Sequence, residues 1–285
     1  IDFHAFFETN FDTLTISNQY SSSSDITIET QAFYSSHFTG IVKIDGNVMI
    51  KPYAFIHSIF DNDLVINTKS IGPYAFYQCN TGNSINLTIG NTNIFNNAFE
   101  LFGKTNGKVV LNFCNIEKFE NLNFIGNSAF NESGISGNLV IPYNYNLIGN
   151  YAFFNCHAIT SAEINFGKNA HSLCYSNNNY AYYTNVKSIG ESAFEGCNNI
   201  VKLELKSNGA MISIGARAFY SLNIKNEITL PFSVNYIGES AFEKCTKLKK
   251  FVFNYNSNLK IISDNAFRDC ELLEGEIYIP KSIEI

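Results

Sequence analysis

The sequence predicts an α/β solenoid, and three observations predict it. The dipeptide Ala-Phe recurs from Ala5 to Ala266. An Ile stands four residues before every one of those alanines. A short apolar–x–apolar run follows nearly every copy at a fixed offset. An internal period of this kind outranks local pattern, because it is the signature of stacked units rather than of one globular core.

The ruler is Ala5, Ala32, Ala54, Ala75, Ala98, Ala129, Ala152, Ala193, Ala218, Ala241 and Ala266, eleven copies with steps of 27, 22, 21, 23, 31, 23, 41, 25, 23 and 25. The leading isoleucines run from Ile1 and Ile28 through Ile237 and Ile262. Gly follows the Ile at Gly72, Gly126, Gly149, Gly190, Gly215 and Gly238. Cys follows the Phe by three residues at Cys79, Cys156, Cys197, Cys245 and Cys270.

Within each Ile-Gly-x-x-Ala-Phe-x-x-Cys stretch the apolar positions fall at i, i+4, i+5 and i+8. That spacing puts them on one helical stripe and predicts a short helix per repeat. Pro52 and Pro73 sit early in two copies, where a helix tolerates proline. The second half alternates: Val42 and Ile44, Leu64 and Ile66, Ile85 and Leu87, Leu139 and Ile141, Ala162 and Ile164, Leu203 and Leu205, Ile228 and Leu230, Phe251 and Phe253. Val109 with Leu111 and Ile277 with Ile279 slip by one residue. Period two predicts a strand with one buried face. Pro142, Pro231 and Pro280 close three of these strands. Neither half is stable alone, so each unit needs its neighbours. Eleven strands at about 4.8 Å would build a parallel sheet on the order of 50 Å long.

These readings make residues 1–285 a single solenoid of about 11 repeats, interrupted by a Tyr/Asn-rich insertion at 167–185. Both ends are expected to be cut. Ile1 already fills the Ile position of a unit, and Pro280 plus the six residues of the Pro142–Ile148 spacing falls one past Ile285. A net charge of −6 with no basic stripe argues against nucleic acid. No apolar run approaches a membrane span. Five of the seven cysteines take one inward position and read as small buried rungs.

The unit Leu-Pro-x-x-Val-x-x-Ile-Gly-x-x-Ala-Phe-x-x-Cys-x-x-Leu, as in Leu230 to Leu248, resembles the BspA-like (Treponema-type) leucine-rich repeat. The resemblance implies a leucine-rich-repeat right-handed superhelix of about 23 residues per turn, with a concave parallel β-sheet and short helices. It also implies a secreted or cell-surface protein of the kind associated with adhesion to host proteins or to other cells. The first two units, with Leu14-Thr15-Ile16 and Ile26-Thr27-Ile28, depart most from it.

Residues between the buried strand positions should face outward: Lys43, Val65, Asn86, Val110, Val140, Glu163, Glu204, Thr229, Val252 and Tyr278, flanked by Asp45, Asn67, Thr88, Asn112, Asn165, Lys206 and Asn254. Such a face is either an extended binding surface or merely a soluble sheet face. The insertion carries Tyr175, Tyr180, Tyr182 and Tyr183 among Asn and Ser, a composition of adaptable recognition loops, although a tolerated surface insertion reads the same way. The candidate partner-binding set is therefore those four tyrosines with Glu163, Asn165, Glu204, Lys206, Thr229, Asn254 and Tyr278. The expected partner is a protein, a host matrix or cell-surface component.

No catalytic residue, cofactor or metal ligand is expected. The sequence has no Walker loop, nucleophile elbow, His-Glu-x-x-His or paired Cys-x-x-Cys. The best metal candidate, Cys156 and His157 with His171 and Cys174, begins on a buried rung. Asn86-Leu87-Thr88 and Asn131-Glu132-Ser133 are glycosylation sequons. The competing role is a spacer solenoid with no ligand of its own; an enzyme has no constellation to support it.

Overall fold

The computed structural model describes residues 1–18, 25–105, 108–114, 123–166, 187–207, 212–225, 227–254, 256–275 and 278–283. It is a parallel β-solenoid. Among the described residues every strand pairing is parallel, and each partner comes from an adjacent coil. One column of ten strands runs from Ile26–Ile28 to Ile261–Ile262 and ends each strand on the repeating isoleucine. Its register stacks those residues directly: Ile28 on Ile50, Ile148 on Ile189, Ile214 on Ile237.

The Leu-x-Leu runs form the second column, in three pieces. Leu14–Ser17, Val42–Asp45, Leu64–Asn67, Ile85–Ile89 and Val109–Phe113 make the first. Gly137–Ile141, Ile159–Phe166 and Lys202–Ser207 make the second, and Glu227–Leu230 with Lys250–Phe253 the third. The expected inward residues of these strands, Val42 and Ile44 through Phe251 and Phe253, are buried. Ile279 differs: it is exposed and in no strand, and Ile277 lies outside the described residues.

The expected short helices are not there: among the described residues no helix forms. The Ala-Phe segment is instead a pair of tight turns. Ala32 N–H bonds Glu29 O and Ser36 N–H bonds Phe33 O, both i to i+3. The third residue of each turn has positive φ: Gln31 at 55° and Ser35 at 50°. The same two positions are left-handed in all eleven copies, from His4 and Glu8 to Asn265 and Asp269, with Gly196 the lone glycine among them. Positive φ at the third position is the type II pattern, and Pro52 and Pro73 occupy the second position, where that turn favours proline.

The turns win over the helix because alternate amides are spent between coils. Phe33 N–H reaches Ala54 O at 2.9 Å and Ser35 N–H reaches Ile56 O at 3.0 Å. A helix would satisfy those donors internally and leave the next coil unbonded. The apolar stripe survives the change, because tight turns also bring Ile, Ala, Phe and Cys to the inside.

Those side chains form ladders through the core. Phe33, Phe55, Phe76, Phe99, Phe130, Phe153, Phe194, Phe219 and Phe242 are fully buried and stack face to face, with centroids 4.7–5.5 Å apart. Each such burial stabilises by about 1.5–3 kcal/mol. The Ser/Cys position is a hydrogen-bonding rung: Ser58 Oγ donates to Phe33 O at 2.6 Å, Cys79 Sγ to Phe55 O at 2.8 Å, and Cys156 Sγ to Phe130 O at 3.0 Å. Glycine follows the isoleucine because the coils nearly touch there. A Cβ on Gly126 or Gly149 would lie 2.6 Å from backbone of the preceding coil.

Candidate functional site

The Leu-x-Leu column sets the site, since its alternate residues point away from the core. Lys43, Asn86, Val110, Val140, Thr229 and Tyr278 are exposed, and Val65, Glu163, Glu204 and Val252 are partly so. Four of the candidates are brought together by strand register. Glu163 pairs with Glu204 and Asn165 with Lys206 across adjacent strands. Lys206 Nζ then bridges the carboxylates, 2.8 Å from Glu163 and 3.0 Å from Glu204, while Lys202 bonds Glu204 from the other side. Hydrogen bonds from Lys202 and Lys206 hold the Glu204 carboxyl below its ordinary pKa, and bonds to Glu163 and Glu204 push Lys206 up to about 12. All four side chains are substantially exposed, so the network orders charge on the surface and adds little stability.

The remaining candidates are dispersed. Thr229 donates to Glu227, which also pairs with Lys250 at 3.0 Å. Exposed Asn254 bonds the Asn256 amide. Tyr278 is 74% exposed and in no strand. Asn165 is a correction: expected on the surface, it is buried, and its Nδ2 donates to Ile141 O at 3.1 Å. Asn67 works similarly, donating to Asp45 at 2.9 Å and accepting from the Asn91 amide. These asparagines fasten one coil to the next. Tyr175, Tyr180, Tyr182, Tyr183 and the whole 167–185 insertion lie outside the described residues.

A groove opens where the column is broken. Val109–Phe113 and Gly137–Ile141 are consecutive strands with no ladder between them among the described residues; the isolated bridge Val109↔Ile135 lies just before the second strand, and the Phe113 ring packs on Tyr145 at 4.8 Å. The opening, about 340 Å³, is lined by Leu111, Asn112, Phe113, Asn138, Val140, Pro142, Tyr143, Glu163 and Asn165. Glu163 and Asn165 were candidates; Phe113, Pro142 and Tyr143 were not. The signals were present in the 31-residue step after Ala98 and the one-residue slip at Val109.

Four of the ladder cysteines are sealed in the core. Burial pushes the thiols of Cys79, Cys156, Cys197 and Cys245 up, Cys156 and Cys245 to about 12. Cys156 is turned inward while His157 is exposed, so that pair does not converge; His171 and Cys174 lie outside the described residues. Among the described residues no group of three or more His, Cys, Asp or Glu is placed to hold a metal ion. Among the described residues no helix is long and apolar enough to cross a membrane.

A repeating coil of strand, paired turns and Leu-x-Leu strand, with its outward residues on a parallel sheet, defines a leucine-rich-repeat solenoid. Residues 1–111, 107–208 and 164–285 match the family model described as BspA type Leucine rich repeat region, in six copies. The chain belongs to that family. No curated relative matches it. Among solved structures it is similar to a leucine-rich repeat protein of Bacteroides ovatus, 19% identical over 99% of this chain and 82% of that one, with a TM-score of 0.45. It is also similar to a leucine rich cell surface protein of Faecalibacterium prausnitzii, 17% identical over 96% of this chain and 83% of that one, with a TM-score of 0.35.

Proposed function

We propose that the chain is a protein-binding module that works at a cell surface or after secretion, with the outward face of the Leu-x-Leu sheet as its contact surface. The carrying observation is the join of the Glu163–Glu204–Lys206–Lys202 network to an open groove on one face. A partner is oriented by the charges and seated on the apolar ground between Val110 and Val140. The Tyr-rich insertion is proposed as a second contact. No catalytic role is part of this reading.

The test is binding to immobilised extracellular-matrix and serum proteins, with Glu204→Lys/Lys206→Glu as the face variant and Glu191→Lys, on the exposed turn face, as the control. The expected result is a saturable partner lost in the face variant and kept in the control. Equal binding by both removes the sheet face. One observation favours a second reading, a spacer solenoid: these charges already satisfy one another. A spacer would bind none of the proteins tested.

A further inference from the structure

The groove beside Val109–Phe113 offers acceptors more than donors. Among the described residues its lining holds one carboxylate, Glu163, and no cation. Two of its asparagines spend Nδ2 on main chain: Asn112 on Val110 O at 3.5 Å and Asn165 on Ile141 O at 3.1 Å. An amide whose nitrogen is spent this way keeps its oxygen, which can only accept. Asn138 is the exception, since its oxygen already accepts from Ser161 Oγ at 2.7 Å. The other walls are apolar or aromatic, with Val140 exposed and the Phe113 and Tyr143 rings half-buried. Phe113 is held in place by Tyr145, whose hydroxyl donates to Gly90 O at 3.2 Å and Thr92 O at 3.0 Å. Bonds from Val109 N–H to Gly134 O and from Ser136 N–H to Val109 O close one end. The space, about 340 Å³, is therefore a socket for a side chain and too narrow for a strand.

We propose that this socket receives one arginine side chain of the protein partner, with its guanidinium on Glu163 and its stem and flat face on Val140 and Tyr143. The inference rests on the reading of this face as the contact surface and names the anchor the partner brings. Arginine matches the socket on three counts. Its guanidinium carries five donors and no acceptor, which suits the Glu163 carboxylate and the two spent amides. Its charge complements the one ionised group in the lining. Its plane stacks on aromatic rings while its stem covers apolar ground. Lysine has no flat face, a carboxylate would meet Glu163, and an apolar anchor would leave the acceptors unmatched. Lys206 already holds Glu163 Oε1 at 2.8 Å, so it competes with the incoming charge. Glu204, 3.0 Å from the same ammonium, keeps Lys206 paired when the arginine arrives.

The probe is N-acetyl-arginine-N-methylamide, titrated at constant ionic strength into the intact, isotope-labelled chain. Amide chemical shifts should move saturably in Val109–Phe113, Gly137–Ile141 and Tyr143, with a Kd on the order of 1–10 mM, the scale of one side chain. The citrulline analogue, neutral and of the same shape, should bind about tenfold more weakly. Glu163→Gln should cost about tenfold as well, and Tyr143→Leu about threefold. Lys206→Met removes the competing ammonium and should tighten binding about threefold, an effect that a merely structural role of Lys206 would not produce. Thermal melts establish that the variants are folded. Absence of a saturable shift up to about 50 mM, equal affinity for citrulline, or indifference to Glu163→Gln or Lys206→Met overturns the proposal. Binding of free arginine but not of the blocked form makes the ligand an amino acid and overturns it too. If the probe fails while the Glu204→Lys/Lys206→Glu variant still loses the protein partner, the socket fails and the contact face stands. If the face variant keeps its partner, the wider reading fails on its own test.

Discussion

Replacing Phe130 by Ala tests the core ladder at its middle. Phe130 is fully buried and stacks at 5.1 Å on Phe99 below and at 5.1 Å on Phe153 above. Truncation of a buried Phe costs about 3–5 kcal/mol from lost transfer energy and the cavity left behind. The upper part of that range applies here, because two stacked pairs are lost together and each adds about 0.5–1.5 kcal/mol beyond burial. Phe6 is the internal comparison: it is 37% exposed and stacks on Phe33 alone along the same ladder, at 5.1 Å. Its truncation should cost less than half as much. Urea unfolding followed by circular dichroism measures both. Because stacked coils contact mainly their neighbours, a gap at Phe130 should also broaden the transition or divide it, whereas Phe6→Ala should leave it single. A loss below about 1 kcal/mol for Phe130→Ala, or equal losses at both sites, would refute the ladder as the main source of stability.

Four further outcomes are expected. Far-UV circular dichroism should give a β spectrum with no helical component; a strong helical signal would contradict the paired turns. Native thiol labelling at pH 8 should reach exposed Cys114 well before Cys79, Cys156, Cys197 or Cys245, whose thiols are raised by burial. Burial would raise the Glu195 pKa, but bonds from Arg217 and Ser192 lower it on balance. Its contribution is therefore full above the ordinary Glu pKa of about 4.3 and fades as pH falls through the lowered folded value, so Glu195→Gln should flatten the acid side of the stability profile. Changing Tyr180, Tyr182 and Tyr183 to Ala should weaken the protein partner at unchanged melting temperature; unchanged affinity would remove the insertion from the contact surface.

The coil's inside was legible because inward residues repeat at fixed offsets. The stacking of Ile on Ile, the Phe ladder and the Leu-x-Leu strands follow from hydrophobic spacing alone, whereas the strand column that ends on the isoleucines does not, because a helical stripe accounts for the same spacing. Handedness was not legible. A two-turn helix and two successive type II-like turns put the same four residues inward, and the positions that decide between them hold Gln31, Tyr53, Asn97, Ser128 and Arg217 rather than glycine. Pro52 and Pro73 fitted either reading. On the site, Glu163, Glu204 and Lys206 were legible as outward residues, but their joining into one ion-pair network depends on strand register. Asn165 was misplaced because its side chain is drawn inward to Ile141 O, an inter-coil bond that no local pattern announces. The groove depends on two strands failing to pair, which the 31-residue step only hinted at.

The central functional claim is that a protein partner engages the outward face of the Leu-x-Leu sheet. Amide hydrogen exchange, compared with and without the partner captured in the binding screen, measures this directly. The account predicts new protection in Gly137–Ile141, Ile159–Phe166 and Lys202–Ser207, with the Ala-Phe turns unchanged. Protection confined to the turns, or spread evenly along the coil, would contradict it.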